Sequence, residues 1–153
     1  METPQPMTAP LILRSDPAEW PRLQAFAESF AEAHALAAEE RSRLLIVLEE
    51  LLTNLVKHGY DAPKSGEAEV SLALEGSTLV IVFADDGRAF DPLAHVVRSL
   101  DAPVEERPVG GLGIHLFRAF ADEAHYSREG ERNQLTLMRR LGPRPHRTSL
   151  PNP

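Results

Sequence analysis

Five leucines, Leu44, Leu48, Leu51, Leu52 and Leu55, recur at the three-and-four spacing of a buried helical stripe. The helix they predict opens among the alanine and glutamate residues around 37–41 and stops at Gly59. An earlier helix, running to about Ala35, puts Trp20, Leu23, Phe26, Ala27 and Phe30 on one apolar stripe. Asp16 stands where it can cap that helix, and Pro17 suits its first turn. Before it, Leu11-Ile12-Leu13-Arg14 reads as a short strand, and residues 1–10, with three prolines, as a flexible leader.

Past a loop from Asp61 to Gly66 the period of the pattern changes to two. Val70, Leu72 and Leu74 alternate with Ser71 and Ala73, the signature of a half-buried strand. Gly76-Ser77 turns the chain into Leu79–Ala84, apolar on both faces as a central strand would be, and the run breaks at Asp85-Asp86-Gly87. Residues 88–109 are irregular, with Pro92, Pro103 and Pro108 and one short helical piece around 93–100. A loop of that length in a compact domain is usually a functional lid or disordered. Val109-Gly110-Gly111-Leu112-Gly113 then opens a helix carrying Ile114, Leu116, Phe117 and Phe120. Ala124–Arg128 and Gln134–Leu141 read as two last strands around a turn at Gly130, and the proline-rich residues 142–153 as a disordered tail.

The order is strand, helix, helix, hairpin, lid, helix, hairpin, in one domain over residues 11–141. Hairpins outnumber parallel crossovers, which predicts an α+β fold: a two-layer α/β sandwich with a mixed, mostly antiparallel sheet and helices on one face.

Composition narrows the function. The 153 residues are 42% hydrophobic and 25% charged, as in an ordinary globular protein. A net charge of -7 argues against a broad phosphate-neutralising surface, so nucleic acid is not an expected partner. The absence of cysteine removes disulfides, thiolate metal sites and cysteine nucleophiles. The longest apolar run, Leu79–Ala84, is too short to cross a bilayer, and residues 1–10 lack the pattern of an export signal. The expected location is cytoplasmic, with no membrane partner.

Three stretches carry candidate chemistry. Glu50, Asn54 and Lys57, at i, i+4 and i+7, share one edge of the leucine-rich helix. An acid, an amide and an ammonium in that order suit phosphates and a metal ion; a solvated polar face is the alternative. Asp85 closes the central strand, where a carboxylate at the rim of an apolar pocket could accept from an exocyclic amine, with Gly87 leaving room for a flat ring. A plain turn would also use Asp-Asp-Gly. Gly110, Gly111, Leu112 and Gly113 stand at a helix start, where backbone N–H groups and the helix dipole favour an anion. The spacing matches neither the dinucleotide fingerprint nor the P-loop.

Together these stretches resemble the GHKL superfamily of ATP-binding domains, and within it the anti-sigma-factor serine/threonine kinases of bacterial partner-switching systems. Glu50-Leu51-Leu52-Thr53-Asn54 with His58-Gly59-Tyr60 is similar to their N box. Asp85-Asp86-Gly87-Arg88-Ala89-Phe90-Asp91 is similar to the G1 box, Gly110–Ile114 to the G2 box, and Asn133-Gln134-Leu135-Thr136-Leu137 to the closing strand. The resemblance covers roughly residues 11–141 and implies the Bergerat fold of that superfamily, with ATP and Mg²⁺ as cofactors. Position by position it implies that Asn54 holds Mg²⁺ and that Glu50 is the general base toward the attacking hydroxyl. It further implies that Asp85 accepts from the adenine amino group beside Gly87, and that the residues of Gly110–Gly113 contact phosphates. Lys57 is a candidate phosphate-facing cation and Thr136 a candidate on the adenine side. The lid carries Arg88, Arg98 and Arg107, and the resemblance does not single out which of them contacts phosphate.

The function so implied is phosphorylation of an anti-anti-sigma (STAS-domain) antagonist on serine or threonine, coupled to exchange of that antagonist for a sigma factor or similar regulator, in a chain that pairs as a homodimer. The alternative is an ATP-binding partner switch without significant kinase turnover. A histidine-kinase catalytic domain fits less well. The stretch before Leu44 is taken up by a strand and one helix, leaving no room for a phosphoacceptor hairpin, and His34 reads as structural.

Overall fold

The computed structural model describes residues 7–60, 66–91, 117 and 119–141. The expectations for the rest of the lid, the glycine turn at 110–113 and the tail lie outside those residues. Asp16 Oδ1 accepts from Ala18 N at 2.9 Å, capping a single 3-10 turn (Pro17–Glu19) that leads into α1 (Trp20–Ala33). Leu23, Ala27, Phe30 and Ala31 form the buried side of α1. The helix closes by Leu36 N–H donating to Ala31 O at 2.9 Å, with Ala35 at φ 54° in the position that glycine normally takes.

α2 (Ala38–His58) buries Leu44, Val47, Leu48, Leu51, Leu52 and Leu55, as its leucine spacing predicts. Glu39 and Glu40 in its first turn, and Lys57 and His58 in its last, are each matched in sign to the helix dipole. Its end is set by Gly59 N–H returning to Leu55 O at 2.9 Å. None of the described helices is long and apolar enough to cross a membrane.

The described residues also form five strands: β1 (Leu11–Arg14), β2 (Glu67–Glu75), β3 (Thr78–Asp85), β4 (Glu123–Glu129) and β5 (Arg132–Arg140). They form one sheet in the order β1-β2-β3-β5-β4, and each ladder is antiparallel. The two hairpins turn at Gly76 (φ 62°) and Gly130 (φ 61°), left-handed positions that cost glycine nothing sterically. β3 lies at the centre and is buried on both faces, with Leu79, Ile81 and Phe83 toward one and Val80 and Ala84 toward the other. Register carries the first set across to Leu74, Leu72 and Val70 of β2 and to Arg139, Leu137 and Leu135 of β5. These odd β3 positions join the leucines of α1 and α2 in the core.

In β2 the expected alternation is broken at one place. Ala73 is fully buried and Leu74 only half-buried. Ala73 pairs with Val80, which pairs in turn with Met138, and a methyl group among larger neighbours is shaded on the face away from the helices.

Candidate functional site

Helix α2 and strand β3 end side by side, and the chain is bound tightly where they meet. Arg88 N–H donates to Gly59 O at 2.8 Å, and Gly87 N–H to the Asp85 carboxylate at 2.8 Å. A Cβ on Gly87 would lie 2.7 Å from Gly59 O, so no larger residue fits this approach. The same corner is held from outside by Asp86, which accepts from the Tyr60 hydroxyl and from Glu67 N (3.2 Å). Burial, and then the bond to Asp86, push the Tyr60 phenol well above its usual range.

Beside this junction lies a pocket of about 490 Å³, open solvent at its mouth included. Leu51 and Leu55 of α2, Phe83 of β3, Leu135 of β5 and Phe117 make it apolar. Asn54, Asp85, Asn133 and Tyr126 add polar groups, while His58 stacks on Phe90 at its edge with ring centroids 5.8 Å apart and planes 20° from parallel. An apolar slot with a few convergent polar groups is the usual form of a small-molecule site.

Two expected site residues therefore meet in one cavity: Asn54, 9% exposed, and Asp85. Asn54 Nδ2 is buried with no hydrogen-bond partner among the described residues, an orphaned donor of the kind that an ordered water, an ion or a ligand satisfies. Glu50, one turn back on α2, is half-buried, and Lys57 is exposed; neither lines the described wall of the pocket. Gly87 sits at the junction and leaves the close approach open. Gly110, Gly111, Leu112 and Gly113 lie outside the described residues, as do Arg98 and Arg107, whereas Arg88 lines the pocket.

The expectation for Thr136 is corrected. In β5 the inward positions are Asn133, Leu135 and Leu137, so alternation turns Thr136 to the opposite face, between Val82 and His125 in register. Asn133 is the polar residue that β5 does bring to the pocket, and Tyr126 comes with it from β4. An asparagine on the same parity as Leu135 and Leu137 was the available signal, because a buried amide needs partners.

The sequence profile of the Histidine kinase-like ATPase domain matches residues 13–139, and the chain belongs to that family. Within it, the chain is similar to the anti-sigma F factor of Anoxybacillus flavithermus, 27% identical over 104 residues that cover 67% of this chain and 71% of that one. It is also similar to the serine/threonine-protein kinase BtrW of Bordetella bronchiseptica, 27% identical over 107 residues (70% and 75%). The serine-protein kinase RsbW of Bacillus licheniformis is 35% identical over 86 residues, 52% of each chain.

Proposed function

We propose that the protein is an ATP-dependent serine/threonine kinase of the anti-sigma type. It phosphorylates an anti-anti-sigma (STAS-domain) antagonist and exchanges that partner for a sigma factor or similar regulator, working in the cytoplasm as a homodimer. The observation that carries this reading is the convergence of Asn54, whose Nδ2 has no partner among the described residues, and the Asp85 carboxylate on one apolar pocket. The names of the relatives, anti-sigma F factor and serine-protein kinase, supply the reaction class.

In this reading adenine lies in the slot between Phe83, Leu135 and Leu55, and its exocyclic amine donates to Asp85. Asn54 would hold Mg²⁺ through its amide oxygen, the ion taking few protein ligands when a nucleotide supplies phosphate oxygens. When bound, the ion offsets phosphate charge during transfer. Glu50, more open than Asn54 and one turn away, accepts the proton of the attacking hydroxyl. Lys57 lies further along the same helical edge, available to phosphate oxygens. A phosphate placed on the antagonist adds charge at its interface and releases it, which frees the kinase for the other partner.

The direct test mixes the purified chain with Mg-ATP and a STAS-domain antagonist from the source bacterium, then reads phosphoserine and phosphothreonine by mass spectrometry. Transfer that disappears with Glu50→Gln supports the kinase. Absence of transfer with intact ATP uptake leaves a partner switch alone, and absence of uptake overturns both.

A further inference from the structure

One oxygen of the Asp85 carboxylate is fully engaged within the protein. Oδ1 accepts from Gly87 N at 2.8 Å and from Asn133 Nδ2 at 3.0 Å, whereas Oδ2 accepts from no described residue. Asn133 is 6% exposed and its amide is satisfied at both ends. Nδ2 also donates to Arg88 O at 2.8 Å, while Oδ1 accepts from Arg128 Nη1 at 3.0 Å and from the Tyr126 hydroxyl at 2.5 Å. A guanidinium only donates, and a carboxylate or backbone carbonyl only accepts, so the partners themselves determine which end of the amide faces Asp85. Arg128 Nη1 reaches on to Gly87 O at 2.8 Å, which closes a ring: Asp85, Asn133, Arg128, Gly87 and back to Asp85.

We propose that Asn133, backed by Arg128 and Tyr126, is a positioning residue for base recognition. By occupying Oδ1 it fixes the plane of the carboxylate and leaves Oδ2 as the acceptor presented to a purine 6-amino group. This rests on the reading of Asp85 as the adenine acceptor. A purely structural asparagine would support the pocket for any purine; one acting through Asp85 matters only when the base offers an amine.

The test compares Mg-ATP with the Mg complex of purine riboside triphosphate, which lacks the 6-amino group, by calorimetry on the full chain. Asn133→Ala removes the donor. Asn133→Leu fills much the same space and removes the donor without adding charge, so it tests the same point with the cavity still occupied. Both variants are expected to weaken ATP binding about tenfold or more, the scale of a hydrogen bond to a charged group, and to leave the 6-unsubstituted nucleotide within about twofold of the unmodified protein. Equal losses for the two nucleotides, or unchanged ATP affinity, would overturn the proposal while leaving the ATP reading in place. Failure of the unmodified chain to bind either nucleotide would instead overturn the ATP reading itself.

Discussion

Glu40 near the start of α2 and Arg139 near the end of β5 form a two-point ion pair, Nε to Oε1 at 2.7 Å and Nη2 to Oε2 at 3.1 Å, with their side chains only 10% and 12% exposed. The bond to Glu40 raises the Arg139 pKa above its ordinary value. Arg139 Nη1 also donates to Phe120 O at 2.6 Å, so one guanidinium ties the first turn of α2 to the helical residues before β4. Removing one partner strands a buried charge. Glu40→Ala should therefore lower stability by about 3 kcal/mol, and the joint replacement Glu40→Leu with Arg139→Met should recover most of that loss. Urea denaturation of the three proteins checks this; a single variant as stable as the original would show that the pair is energetically neutral.

At Ala35 the local sequence and the backbone disagree. This residue closes α1 at φ 54°, where a Cβ crowds the neighbouring carbonyl. Ala35→Gly should raise stability by about 1 kcal/mol, because glycine takes this conformation without that crowding. The midpoint of thermal unfolding should rise by roughly 2–4 °C for a domain of this size. A fall in the midpoint would mean that the unfolded-chain entropy of glycine outweighs the relieved strain.

The Tyr60–Asp86 contact has a pH signature. The folded-state pKa of the phenol is raised, by burial first and by Asp86 second. Below the unfolded value, about 10, both states keep the proton and the contact contributes in full. As the pH rises past about 10 the unfolded chain gives up its proton while the folded chain retains it, so stability falls with increasing pH. Denaturant titrations at pH 9 and 11 should show a larger loss for the unmodified protein than for Tyr60→Phe. Equal losses would mean that Tyr60 titrates normally in the folded state.

The contrast between these features and the rest of the fold shows what a linear pattern can reveal. The leucine period of α2 and the two hairpins were legible because each is a local matter of side-chain spacing and turn residues. Asn54 and Asp85 stand out through the motifs that contain them, each at a characteristic place on its own element, and the fold brings both to one pocket. The pairing of Glu40 with Arg139 was not legible, because nothing in either neighbourhood encodes a partner so far along the chain. Thr136 was misplaced for a different reason. Threonine suits either face of a strand, and the side it takes is decided by Leu135 and Leu137 seeking the core. That parity turned Asn133 inward instead, where its role depends on groups from β3 and β4 that only the assembled sheet supplies.

Gly87 is the position where packing bears most directly on the pocket. A methyl group there would stand 2.7 Å from Gly59 O and 3.0 Å from Asp85 Oδ1. Gly59 O is backbone and already accepts from Arg88 N, so it has little freedom to retreat. Gly87→Ala should cost about 1–3 kcal/mol, the usual cost of overpacking, and should weaken nucleotide binding by displacing Asp85. Calorimetry with Mg-ATP and a parallel unfolding curve measure the two effects; an alanine variant with unchanged affinity would show that the junction can open without moving the carboxylate.

Glu50 and Asn54 are neighbours on one helical edge, yet under the proposed mechanism their substitutions should have different effects. Asn54 is buried in the pocket with its Nδ2 unpartnered among the described residues, and the proposal gives it the holding of nucleotide and ion. Glu50 is more open, lies outside the described pocket wall and acts only when a hydroxyl arrives. Glu50→Gln should therefore retain ATP affinity and slow phosphoryl transfer by about 10²–10⁴-fold, the range for loss of a general base. Asn54→Ala should reduce Mg-ATP affinity itself, and with it partner exchange as well as transfer. Nucleotide titration and single-turnover transfer on both variants separate the two roles. If Glu50→Gln lost affinity as severely as Asn54→Ala, the acid would belong to nucleotide binding, and the proton would have to leave by another group.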